Sequence, residues 1–168
     1  LRPLDTGQLS KLMKMSEALA RKTSERISAF SLPHRPDCAG SVLTTFRGDA
    51  FTPIMTDDYS SDDFNYAHNH VRILSGLYGI LRPLDLMQPY RLEMATKLAN
   101  TNGSNLYDFW GTMITDNLSR DLVSHQEKIV VNCASKEYSR VVDKKTLAGS
   151  IVDIVFRQWS KDKLKTIA

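Results

Sequence analysis

From Gly7 to Phe30, Leu9, Leu12, Met13, Ser16, Leu19, Ala20 and Ile27 recur at three- and four-residue steps. That period predicts a helix with one buried face. Lys11, Lys14, Arg21 and Lys22 take the opposite face, a stripe that reads either as solvated surface or as a phosphate-facing one. Met15 also falls on the polar side, so the element is either one helix or two broken near Ser16, a residue suited to an N-cap. Pro33, Pro36 and Gly40 then mark a loop from Ser31 to Ser41, and the β-rich run Val42–Phe46 predicts a strand entering a turn at Arg47-Gly48-Asp49-Ala50-Phe51.

Asp57, Asp58, Asp62 and Asp63 surround Ser60 and Ser61, either of which can cap a helix whose first turn the aspartates favour. Phe64, His68, Val71 and Leu74 or Ser75 would give that helix its inward face. The densest apolar segment is Ile73–Pro83, with Gly76 and Gly79 three apart. It fits a buried strand with a bulge or the hairpin between two helices. Tyr90–Met94 predicts a strand. Ser104 is placed as the cap of an amphipathic helix with Leu106, Phe109, Trp110, Met113, Ile114 and Leu118 inward. Ile129–Cys133 reads as a buried strand feeding a short helix capped at Ser135. Ile151–Phe156 reads as a strand, and the segment from Lys163 as its hairpin partner through Ser160-Lys161-Asp162. Helices and strands without regular βαβ spacing predict a single α+β domain.

The bulk numbers change this picture little. In 168 residues, 42% apolar and 24% charged, there is enough for one core. A net charge of +3 permits an anionic partner without requiring one. Cys38 and Cys133 are far apart, with no Cys-x-x-Cys or Cys/His cluster, so neither zinc nor another metal or cofactor is expected, and both read as reduced thiols. No apolar run has membrane-spanning length, so no membrane association is expected. No partner protein is evident. The opening Leu1–Asp5 lacks an initiator Met and a signal-type apolar stretch, and Lys163–Ala168 reads as a strand without a finish; truncation at both ends is expected.

Four ordered blocks carry a resemblance: Arg47-Gly48-Asp49; Leu74–Asp85 with Pro89–Met94; Leu106–Gly111; and Asn132–Tyr138. Together they resemble the YaaA peroxide-stress family, whose opening Ser-Pro-Ala-Lys segment and closing basic block are not in this chain. The resemblance implies a cytoplasmic protein of the hydrogen-peroxide response that limits damage to DNA and protein by keeping free iron low. It also implies an elongated α+β fold with a helix-hairpin-helix-like element, a positive cleft and DNA binding. It brings no catalytic residues.

Three chemistries are weighed on this basis. For double-stranded or structured DNA, Gly76 and Gly79 would let a hairpin backbone approach phosphate, with Arg72 and Arg82 on either side and Tyr78 against sugar or base. The alternative for the same residues is a glycine-kinked core strand. For an enzyme acting on a phosphorylated or carboxylated small molecule, Arg91 and Glu93 share a strand face. Ser135 and Lys136 stand at a helix start, with Arg140 nearby. Their alternatives are a structural salt bridge and a helix cap. For direct iron or peroxide chemistry, His68 and His70 lie two apart and diverge on a helix, and Cys133 precedes a helix start in a strand expected to be buried. An indirect effect on iron is expected.

Overall fold

A computed structural model describes residues 1–48, 50–160 and 163–167. Asp49, and Lys161 and Asp162 of the expected hairpin turn, lie outside the described residues.

The first helical stretch is two helices. Asp5 and Gln8 form a reciprocal capping box at the start of α1 (Thr6–Met13), and Lys14, in the left-handed conformation at φ 51°, ends it. Ser16 then caps α2 (Glu17–Ala29) by accepting from the Leu19 amide. The break turns Met15 inward, which explains an apolar residue that a continuous helix would leave on the polar side.

Val42–Phe46 is not a strand. The ladder between β1 (Gly40–Ser41) and the later β4 (Leu86–Met87) covers two residue pairs, Gly40 with Met87 and Ser41 with Leu86. The partner chain then bends through the Arg82–Asp85 turn, where Pro83 has no amide to donate. The Val42 and Leu43 amides donate to Asp85 and Pro83 carbonyls, and Val42–Thr45 closes into a helical turn, α3. Tertiary pairing overrides the β propensity of the run.

Ser60 caps α4 (Ser61–His70) in a second reciprocal box with Asp63, as local sequence predicts. Val71 is exposed rather than inward, because the helix ends at His70. The following segment is a β-hairpin. β2 (Ile73–Ser75) pairs antiparallel with β3 (Gly79–Leu81), in register Ile73–Leu81, Leu74–Ile80 and Ser75–Gly79. It is followed by the turn and β4 (Leu86–Met87), not by a helix, so these residues do not form a helix-hairpin-helix. Tyr90–Met94 has no ladder partner. Its alternation is one of burial, with Leu92 and Met94 inside, in an irregular extended segment.

The cap of the next helix is Asn105, one residue later than expected. Its Oδ1 accepts from the Asp108 amide at the start of α5 (Leu106–Trp110). Gly111, at φ 47°, interrupts the helix, and α6 (Met113–Leu122) follows with Ile114, Thr115, Leu118 and Leu122 buried and Met113 exposed. β5 (Ile129–Asn132) continues through α7 (Lys136–Ser139) to β6 (Ser150–Asp153), its parallel partner. β5 is covered on one side only: Ile129 and Val131 are exposed while Val130 packs on the core. A continuous apolar run therefore did not mean burial on both faces. The chain breaks after Asp153, and β7 (Phe156–Ser160) pairs antiparallel with β8 (Lys163–Ile167). A hairpin does form at Lys163, but the expected partner run Ile151–Phe156 supplies β6 to β5 instead, and Phe156–Ser160 takes its place beside β8.

Helices and two-stranded sheets thus form an α+β fold around two apolar clusters. The larger gathers α1, α2, α5 and α6 over Leu92 and Met94. The smaller holds Val42, Ile73, Leu81 and Met87. Gly79 is fixed by both its backbone and its neighbour. Its φ of 76° suits glycine, and a Cβ there would lie 2.7 Å from the Trp110 ring. Gly79→Ala is expected to cost about 2–4 kcal/mol, from left-handed strain and overpacking together. Gly48→Ala, also at positive φ but with open space around it, should cost about 1 kcal/mol. Urea titration of the two variants checks the difference.

Candidate functional site

The two arginines expected to flank a phosphate-binding hairpin converge instead on one carboxylate. The Arg72 Nε donates to Asp121 Oδ2 in a short ion pair, and Arg82 Nη2 donates to Asp121 Oδ1 at 2.9 Å. Arg72 also donates through Nη1 to the His68 and Val71 carbonyls, and its side chain is only 13% exposed. Arg82 remains more open at 45%. Asp121, near the end of α6, therefore clamps the two ends of the β2–β3 hairpin. Burial works to raise its pKa, but the hydrogen bonds and charges of Arg72 and Arg82 outweigh it and hold the carboxyl below the ordinary aspartate value.

The hairpin turn is equally occupied. The Gly76 carbonyl accepts from Trp110 Nε1 at 3.1 Å, and a Cβ on Gly76 would meet the Leu92 carbonyl oxygen. The glycines serve close packing against protein. Ser75 Oγ accepts from the Tyr78 amide and shares a 2.6 Å hydrogen bond with the Tyr90 hydroxyl. Tyr78 sits among Phe30, His34 and Tyr90, and its hydroxyl accepts from the Gln88 amide at 3.1 Å. Burial pushes the Tyr78 and Tyr90 phenols up, so both stay neutral hydrogen-bonding groups.

Of the enzyme candidates, Arg91 and Glu93 are brought together: Arg91 Nη2 donates to Glu93 Oε1 at 3.1 Å. Ser135 begins α7 without capping it through its side chain, and both Ser135 and Lys136 are exposed with no hydrogen bond to that pair. The link between the two regions is Glu137, which accepts from the Ala95 amide. Arg140 lies over the Tyr107 ring at 5.0 Å. His68 accepts from the Leu84 amide while His70 is exposed, the divergence expected of helical neighbours two apart. Cys38 and Cys133 are free thiols, and Cys133 is exposed where a buried position was expected. Among the described residues no group of His, Cys, Asp and Glu is placed to hold a metal ion. No helix among them is long and apolar enough to cross a membrane.

The feature that motif reading passed over is the β7–β8 ribbon. Phe156–Ile167 carries Arg157, Lys161, Lys163 and Lys165 against the single acid Asp162. Arg157 and Trp159 alternate onto one face, opposite Thr166 and Leu164. Lys163 and Lys165 lie on the other, opposite Ser160 and Gln158. Arg157, Lys163 and Lys165 are exposed and make no ion pair among the described residues, and Trp159 is 71% exposed. The available signal was the excess of basic residues in a predicted hairpin segment that also holds Trp159.

A family model described as peroxide stress protein YaaA matches residues 1–168. The chain is 42% identical over 165 residues to a UPF0246 protein of Colwellia psychrerythraea, covering 98% of this chain and 64% of that protein. It is 42% identical over 168 residues to a UPF0246 protein of Cellvibrio japonicus, covering 100% of this chain and 65% of that one. It thus spans just under two-thirds of the length of these curated relatives. The chain belongs to the peroxide stress protein YaaA family.

The Asp121 clamp has a defined pH signature. A folded pKa below the unfolded value means that the stabilisation is complete above the ordinary aspartate pKa of 3.8 and is lost as pH falls through the depressed folded value. Asp121→Asn should therefore lower stability by about 2–4 kcal/mol at neutral pH. Thermal melts should show this as a Tm about 5–10 °C lower. The gap between variant and native protein should narrow as the pH is taken below 4.

Proposed function

We propose, from membership of that family as premise, that this chain is the DNA-contacting part of a protein of the hydrogen-peroxide response. It binds double-stranded or structured DNA without sequence preference and shields it, which limits iron-driven damage indirectly. The observation that carries the reading is the β7–β8 ribbon, whose cations Arg157, Lys163 and Lys165 are exposed and free of ion pairs among the described residues. A two-stranded ribbon matches the width of a B-DNA major groove. Basic side chains on both of its faces suit the phosphate walls on either side, and Trp159 offers a stacking surface to a sugar or an unpaired base. Phosphate contacts carry no base information, which accounts for a lack of sequence preference. The phosphate role thereby passes from Arg72, whose donors are taken up by Asp121 and backbone carbonyls, to the ribbon; Arg82, half exposed, stands as a secondary contact.

The test is fluorescence anisotropy of a labelled duplex against a salt series, with the protein at its natural length. Affinity should fall steeply with salt, by a slope of about −0.9 per phosphate neutralised. Replacing Arg157, Lys163 and Lys165 together by Gln should flatten that slope by about 2–3 units. Absence of binding at low salt, or an unchanged slope in the triple variant, would overturn the proposal.

A further inference from the structure

Against the hairpin turn lies a cavity of about 290 Å³. Its walls are Ile27 and Phe30 of α2, Leu77 of the turn, Leu92, and Leu106 and Phe109 of α5. At ~30 Å³ for each water-sized group, it has room for about ten. The charged side chains that line it are Arg2, Arg26 and Arg91; among the described residues no carboxylate does.

The remaining polar lining is already satisfied within the protein. Thr23 Oγ1 donates to the Leu19 carbonyl, and the Tyr90 hydroxyl is bonded to Ser75. The Asn100 amide nitrogen donates to the Leu98 and Asn105 carbonyls. The arginines are not. Arg2 uses one donor, on the Phe30 carbonyl. Arg26 makes neither a hydrogen bond nor an ion pair among the described residues. Arg91 gives one Nη2 donor to Glu93, while its Nε is buried with no partner. A guanidinium has five N–H groups, and a buried one without an acceptor is unfavourable. An apolar chamber whose unspent polar groups are all cationic donors is complementary to a hydrocarbon body with one anionic head.

We propose that this cavity is a binding site for an amphipathic monocarboxylate, a medium-chain acid or aryl acid of about ten heavy atoms, consistent with the volume above. The hydrocarbon fills the space between α2, the hairpin turn and α5, and the carboxylate meets Arg91 and Arg26. Of the predicted enzyme-site residues Arg91 lines this cavity, and Glu93, Ser135 and Lys136 are not part of it. The proposal is one of binding, independent of the DNA reading.

Isothermal titration of the natural-length protein with octanoate, 1-octanol and inorganic phosphate tests it. Octanoate should bind saturably, 1-octanol about tenfold or more weakly, and phosphate not detectably. Arg26→Gln and Arg91→Gln should each weaken octanoate by about tenfold, the scale of one charge-assisted hydrogen bond. Circular dichroism establishes that each variant is folded; should Arg91→Gln not fold, the exposed Arg26→Gln decides alone. Equal affinity for octanol, phosphate binding as tight as octanoate, indifference to the arginine variants, or no octanoate binding would each overturn the assignment.

Discussion

The β2–β3 hairpin is covered on both faces, and the two apolar clusters are organised around it. A strand sends alternate side chains to opposite sides. The cross-strand pair Ile73–Leu81 enters the smaller cluster with Val42 and Met87, while Leu74 and Ile80 pack against the larger. A slip of one residue would exchange the two sets, so the register has to be pinned. Three contacts pin it. Gly76 lies against the Leu92 backbone, Gly79 lies against the Trp110 ring, and Ser75 ties the turn to Tyr90.

The open end of the same hairpin is held by charge. Asp121 reaches Arg72 and Arg82 from α6, and this fixes the larger cluster's helix to the smaller cluster's strands. Such a pair is demanding once formed: removing the carboxylate would leave Arg72 as a largely enclosed, unpaired charge. The same engagement bears on function. A cation whose donors are committed to a half-buried carboxylate has little left for a phosphate, whereas the ribbon's cations have made no such commitment among the described residues. Charge that is present and charge that is available are different quantities, and only the second can attract a partner.

That distinction marks what sequence could reveal. Local chemistry was legible: the Ser60–Asp63 cap, the Arg91–Glu93 pair two residues apart, and the divergence of His68 and His70 depend on neighbours within a turn or two of chain. The α+β class followed from the mixture of periods, and the family from four ordered blocks. Long-range partners were not legible. Asp121 lies 49 residues from Arg72 and 39 from Arg82, and nothing in either neighbourhood announces the pairing. Val42–Phe46 has strand composition but meets a partner that turns away at Pro83. Ile129–Asn132 has buried-strand composition but is covered on one side only. Propensity describes what a segment favours alone; these segments were decided by what lay beside them.

The glycines show the same limit from the functional side. Gly76 and Gly79, flanked by arginines, are what a phosphate-approaching hairpin needs, because phosphate tolerates no Cβ in its way. They are equally what a hairpin needs to lie flat on a tryptophan ring and a neighbouring carbonyl, because protein atoms tolerate no Cβ either. Composition cannot separate the two demands, since both are demands for close approach. What separates them is the identity of the approached group, and here it is protein on both sides of the turn. The positions left to act on something outside the chain are those whose donors and rings are not yet satisfied. By that criterion the ribbon cations with Trp159, and the arginines over the apolar cavity, are the surfaces we propose as functional.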